Sequence, residues 1–170
     1  MIIGVTGSGK STVAQQLVAQ LGWPFAEGDE FHPPANVAKM HAGHPLDDGD
    51  RWPWLRTIAA WIGDREAAGV HAVVFCSALK RAYREVLCHG HPSVRFVEVD
   101  VSTDLLRERL AARVGHYMPA ALLESQLAAW ERLQPDEPGF AVSGDGSIEA
   151  VVSGVLSELR KRGVLPAADG

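Results

Sequence analysis

Two patterns alternate along the chain. Short apolar runs, rich in Val, Ile and Phe, recur at Met1–Val5, Trp23–Glu27, Ala72–Ser77, Arg95–Val101 and, most weakly, Phe140–Ser143. Between them lie longer stretches in which apolar residues return every three to four positions. The first kind fits strands buried on both faces, and its alternation with helical segments predicts βαβ units around a parallel sheet. The expected fold class is α/β, with about five strands of ordinary length. Val13, Ala14, Leu17, Val18 and Leu21 line one face of a helix that stops at Gly22. Leu55, Ile58, Ala59 and Ile62 form the stripe of a second, with Pro53 expected in its first turn, where a missing N–H costs nothing. Ser102 predicts the N-cap of a helix through Arg113, Pro119 opens another through about Arg132, and Ile148–Arg162 is the last, with its cations at the C-terminal end. The first apolar run is short for a central strand, so a truncated start or a longer natural N-terminus is one expectation.

Composition narrows the class. A chain of 170 residues is one domain's worth, and 46% hydrophobic with 22% charged residues is the profile of a globular protein with a real core. Sixteen Lys and Arg against 21 Asp and Glu give a net charge of −5, without the basic run that a nucleic-acid partner would call for. No apolar stretch is long enough to span a bilayer and no targeting segment opens the chain, so the expectation is a cytoplasmic protein with no membrane partner. Cys76 and Cys88 are too far apart for a redox pair and are expected to be reduced.

The chemistry begins at the first turn. Gly4-Val5-Thr6-Gly7-Ser8-Gly9-Lys10-Ser11 fits the phosphate-loop pattern, with an apolar strand before it and an amphipathic helix after it. Glycines let the backbone N–H groups converge on phosphates, and the helix N-terminus adds partial positive charge. Lys10 is expected on the β- and γ-phosphates of ATP and the Ser11 hydroxyl on Mg²⁺, with Ser8 and Thr12 as secondary contacts. No Asn-Lys-x-Asp follows for guanine, and the third apolar run ends in Ser77 where a transport or oligomeric ATPase needs an acid. Small kinases remain. There the second strand delivers carboxylates beside the phosphate loop, so Asp29 is the expected catalytic group that holds the attacking hydroxyl in line, with Glu27 nearer the metal.

The wider pattern then carries a resemblance. Gly28-Asp29-Glu30-Phe31-His32-Pro33, Asn36, Lys39-Met40, the block from Gly43 to Leu55, Cys76-Ser77-Ala78-Leu79-Lys80-Arg81, Tyr83-Arg84, Gly115-His116-Tyr117-Met118-Pro119, Ser125-Gln126 and Pro135-Asp136-Glu137 together resemble the gluconate kinase family. The match runs in order over nearly the whole chain. The Asp-Asp-x-Asp-Arg-x-Pro-Trp-Leu and Cys-Ser-Ala-Leu-Lys blocks are far more specific than the phosphate loop.

The resemblance implies a phosphate-loop kinase fold with a five-stranded parallel sheet and a lid over about residues 109–135. It implies transfer of the γ-phosphoryl group of ATP to the C6 hydroxyl of D-gluconate, and a homodimer. An anionic acceptor needs cations, and arginine is the better bidentate carboxylate partner. Arg51 and Arg84 are expected on the carboxylate, Lys80 on the transferring phosphate or a hydroxyl, and His32 and His116 on hydroxyls, His116 from the lid. Arg109 is assigned to the adenine and Arg113 to charge neutralisation. The aspartates 47, 48 and 50 read as a helix-capping loop that hydrogen-bonds Arg51, in preference to a metal cluster. Trp54 and Trp61, seven apart, read as packing or a dimer contact. The alternatives are another small-molecule kinase, of the shikimate or adenylylsulfate type, and a regulatory protein that binds ATP without turnover.

Overall fold

A computed structural model describes residues 1–112 and 120–167. In chain order it contains β1 (Ile2–Ile3), α1 (Lys10–Leu21), β2 (Phe25–Glu27), a 3₁₀ turn (Gly28–Phe31), α2 (Pro34–His41), α3 (Asp48–Ala67) and β3 (Val73–Cys76). There follow α4 (Arg81–Cys88), β4 (Phe96–Asp100), α5 (Thr103–Ala111), α6 (Ala120–Ala129), β5 (Gly139–Ser143) and α7 (Ile148–Lys161). The five strands form one parallel sheet in the order β2-β3-β1-β4-β5, with Ile2 opposite both Phe75 and Val97. Every expected strand is present, each within its apolar run or one residue outside it. β3 and most of β4 are buried, as a sheet covered on both faces requires.

The strand order fixes where a ligand goes. The chain leaves β1 in one direction, to β2, and leaves β3 in the other, to β4. With right-handed crossovers α1 therefore covers one face while α3 and α4 cover the other. The carboxyl ends of β1 and β3 flank the crevice opened by that reversal, where open α/β sheets bind ligands. Gly4–Ser11 leaves the end of β1, Asp29 follows β2, and Lys80 follows β3, so the topology gathers three distant segments there.

Two helices depart from expectation. α3 begins at Asp48, so Pro53 lies inside it and not in its first turn. The cause is a complete capping box: Asp47 accepts from the Asp50 N–H at 3.0 Å and Asp50 accepts from the Asp47 N–H at 2.9 Å. The same bonds account for two of the three aspartates, but they do not reach Arg51, whose Nε instead donates to the Leu46 carbonyl at 3.3 Å. α6 ends at Ala129, short of Arg132, where the backbone beyond it is drawn to the turn between β3 and α4: Glu131 N–H donates to the Leu79 carbonyl at 2.8 Å. Both cysteines are free. Arg113, His116 and Pro119 lie outside the described residues.

Candidate active site

The phosphate loop is built from backbone. Gly7 (φ 84°) and Gly9 (φ 92°) occupy the left-handed region, which lets the chain turn sharply into α1. α1 carries no acidic residue in its first turn, so its positive end is left for an anion. Ser8 is buried and its hydroxyl has no hydrogen-bond partner among the described residues, an orphan aimed at the loop's interior that suits a phosphate oxygen. Lys10 Nζ donates to the Val5 carbonyl at 2.8 Å. Arg109 reaches from α5 to two places, donating to Gly144 O at 2.8 Å and Ser8 O at 3.5 Å, and so joins the phosphate loop to the turn after β5. One contact was not foreseen: the Thr6 N–H donates to Gln126 Oε1 at 2.8 Å, which brings α6 onto the loop.

The other half is built from side chains. Gly28 lies flat against β3, where a Cβ would meet Cys76 Cβ at 2.4 Å, and this close approach sets Asp29 at the sheet's carboxyl end. Asp29 is largely exposed. Glu27, one strand residue earlier, has its carboxyl pushed up by burial and by the neighbouring Asp29 and Glu30, with Lys10 opposing. Burial, with the Asp29 charge adding, pushes the Cys76 thiol up to about 12, so it stays protonated.

An open cavity of about 530 Å³ is lined by Asp48, Arg51, Lys80, Tyr83 and Ser125, among others. Within it Lys80 Nζ donates to both oxygens of Asp48, at 2.7 and 3.0 Å, and Tyr83 Oη donates to Asp48 Oδ1 at 2.5 Å. The pairing holds Asp48 below the usual carboxylate range and raises Lys80, so both are ionised at neutral pH. The Arg51 guanidinium lies 5.7 Å from the Tyr83 ring centre, and its two terminal nitrogens make no hydrogen bond among the described residues. Ser125 lines this cavity while Gln126, its neighbour, meets the phosphate loop, so one turn of α6 touches both halves.

Arg84 is not among them. It is fully buried, its Nε and Nη2 bind Glu137 at 2.6 and 2.8 Å, and its remaining N–H groups face the carbonyls of Ala78, Leu79, Glu131 and Arg132. Every donor is engaged, which leaves none for a substrate carboxylate. Its work is structural: it holds the carbonyl of Ala78, a buried residue in the left-handed region (φ 38°), and so fixes the turn that presents Lys80.

His32 is buried. Its ring stacks on Trp54 at 4.2 Å, and Trp54 Nε1 donates to the Gly28 carbonyl at 2.5 Å, which assigns Trp54 to packing beneath the site. Trp61 packs edge-on against Phe31, 6.3 Å between ring centres. No cluster of three His, Cys, Asp or Glu side chains suited to a metal occurs among the described residues. A Mg²⁺ ion that takes one or two protein oxygens and completes its shell with phosphate and water fits such a site, and Ser11 at the start of α1 is the oxygen on offer.

Tyr83, Ser125 and Gln126 are the participants that sequence reasoning left without a role, and Asp48, expected in a capping loop bonded to Arg51, is bound by Lys80 and Tyr83 instead. Tyr83 and Ser125-Gln126 stood in the resembling blocks, which was the signal available.

Comparison with known proteins agrees with this layout. A family model described as an AAA domain matches residues 1–133. A gluconokinase from Gluconobacter oxydans is 49% identical over 92% of this chain and 88% of its own. The crystal structure of a gluconokinase from Sinorhizobium meliloti superimposes with a TM-score of 0.83 at 42% identity, covering 95% of this chain and 90% of that one. An unliganded sugar kinase from Janibacter gives 0.88 at 47% identity, covering 93% and 91%. A shikimate kinase from Aquifex aeolicus, at 20% identity and a TM-score of 0.55 over 96% of both chains, shares the fold alone.

Proposed function

Because the chain belongs to the gluconokinase family of phosphate-loop kinases, we propose that it transfers the γ-phosphoryl group of ATP to the C6 hydroxyl of D-gluconate, giving 6-phosphogluconate and ADP. The observation that carries the reading is the cavity in which the terminal nitrogens of Arg51 stand beside the Lys80–Asp48–Tyr83 group, joined to the phosphate loop by one turn of α6. A polyol with one carboxylate matches that set. Arg51 takes the carboxylate, while Asp48, Lys80, Tyr83 and Ser125 offer donors and acceptors to hydroxyls. Asp29 orients the attacking hydroxyl and accepts its hydrogen bond.

The phosphate loop backbone, Lys10 and Arg109 bind ATP, the loop and Lys10 at its phosphates and Arg109 toward the base. Ser11 would hold Mg²⁺, whose charge would offset that of the phosphates. Catalysis is then mostly positioning and charge neutralisation, to which Arg113 contributes. His116 remains assigned to a hydroxyl. The same reading has the protein act as a cytoplasmic homodimer, which light scattering of the purified chain tests. Shikimate and adenylylsulfate chemistry are not favoured, and neither is a binding protein without turnover.

The test is ADP formation from ATP and Mg²⁺ with gluconate, other sugar acids, shikimate and adenylylsulfate. Turnover on gluconate alone is expected. Turnover on shikimate or adenylylsulfate in its place, or none on any acceptor, overturns the assignment.

A further inference from the structure

A buried amide sits behind the catalytic turn. Asn36, on α2, is 5% exposed, and its Nδ2 donates to the Asp50 carbonyl at 2.8 Å. A backbone carbonyl can only accept, so this contact fixes which way the amide faces. The second hydrogen of the same nitrogen is directed at His32 Nδ1, 3.3 Å away. His32 Nδ1 must therefore present a lone pair, and the ring's single proton belongs on Nε2. That atom is the one turned to Asp29, at 3.8 Å from Oδ1.

Nothing leaves the ring another choice. Trp54 fixes its plane, with 16° between the two rings, and Asn36 fixes its rotation within that plane. The His32 side chain is 3% exposed. The charged groups that act on it are Asp29, from its own turn, and Arg51, from α3; the Asp50 carboxylate nearby is engaged by Lys39 of α2 at 2.5 Å. Burial disfavours the imidazolium and Arg51 adds to that, against Asp29, so the pKa lies below that of an ordinary histidine. Protonation would also set an N–H of the ring against an N–H of Asn36.

We propose that Asn36 is a positioning residue that holds His32 as the neutral tautomer with its proton on Nε2, so that a donor faces Asp29 and the acceptor hydroxyl that Asp29 orients. With the other tautomer, a nitrogen lone pair would face the Asp29 carboxylate and push it from the in-line direction. The catalytic consequence rests on the function proposed above, but the tautomer does not.

Two measurements test it. In ¹H–¹⁵N correlation spectra of the wild-type protein at neutral pH, His32 should show a protonated Nε2 and a bare Nδ1, and should titrate below an ordinary histidine. A proton on Nδ1, or an imidazolium at neutral pH, overturns the proposal whether or not the protein phosphorylates gluconate. In Asn36→Asp the new carboxylate faces Nδ1 and should raise the His32 pKa by about one unit or more. The acid limb of kcat/KM for gluconate should move up by the same amount, with little change in KM for ATP. A folded Asn36→Asp protein whose acid limb and His32 titration match wild type also overturns it.

Discussion

The two halves of the site are made differently. The phosphate half is one contiguous stretch, Gly4 to Thr12, in which backbone amides, two left-handed glycines and a helix end do the recognising. The acceptor cavity comes from three separated segments, around residues 48, 80 and 125, whose side chains meet only when the sheet forms, and Asp29 stands outside its lining. Its Lys80–Asp48 pair spans 32 residues, and the Arg84–Glu137 pair that braces the turn behind it spans 53. A contiguous site carries its geometry in local sequence. A dispersed one carries only candidates, and the fold decides which of two nearby cations faces the ligand and which is buried as a strut.

Substitutions can break that contrast. Lys10→Ala should have the largest effect, lowering kcat by about 10³-fold because it removes charge from the transferring phosphate, with only a small fall in Tm for the lost bond to the Val5 carbonyl. A loss of that size accompanied by a large fall in Tm would mean that the loop depends on the side chain for its shape. Arg84→Met should act on the fold instead. Leaving Glu137 buried and unpaired costs about 3–5 kcal/mol, a fall in Tm on the order of 10 °C, and adding Glu137→Leu should recover much of it. If Arg84→Met raised the gluconate KM at temperatures where the protein stays folded, with Tm unmoved, Arg84 would return to the acceptor.

Arg51→Leu should raise the gluconate KM by about 10–50-fold and leave the ATP KM within a factor of two or so, as expected for loss of one charge-assisted contact. A proportional rise in both would dissolve the division into halves. The smallest effect sharpens the picture away from the ligands. Glu98 is buried on β4; among the described residues its Oε1 makes no hydrogen bond and lies 3.9 Å from Arg132 Nη1, while Oε2 accepts from the Leu133 N–H at 2.6 Å. Burial raises its carboxyl above the ordinary value. The folded state then holds this proton more tightly than the unfolded chain, so the contribution to stability is full at low pH and is lost as pH rises through the raised pKa. Glu98→Gln should therefore raise Tm by a few degrees at pH 8, about 1 kcal/mol, and by less near pH 4. Denaturation scans at the two pH values read the difference.

The fold was largely legible because its signals are local and strong. Short runs rich in apolar residues marked all five strands, and Gly22 ended α1 where a left-handed cap was expected. α2 escaped because it is eight residues long and buries only Asn36, so no apolar stripe announced it. The start of α3 was misplaced because Pro53 was the louder cue and the Asp47–Asp50 capping box the true one. In the site, the phosphate loop and the cavity positions of Arg51 and Lys80 followed from motif and strand order. Arg84 could not be told from Arg51, since nothing local records that the carbonyls of Glu131 and Arg132 return to meet it.

The placement of Arg84 also has a mechanical meaning. The strand of chain leaving the C-terminal end of α6 is pinned at three points: Arg84 grips the Glu131 and Arg132 carbonyls, Glu98 takes the Leu133 N–H, and Arg132 pairs with Asp100. Farther up the helix, the Thr6 N–H of the phosphate loop donates to Gln126, and Arg107 of α5 pairs with Glu124 at 3.1 Å. Among the described residues, the C-terminal end of α6 therefore carries the densest set of polar ties, and Gln126 is where the helix meets the loop. On the proposed function, the Thr6 amide lies in the loop that takes the phosphates, so a nucleotide there would bear on Gln126 and, one residue along, on Ser125 of the acceptor cavity.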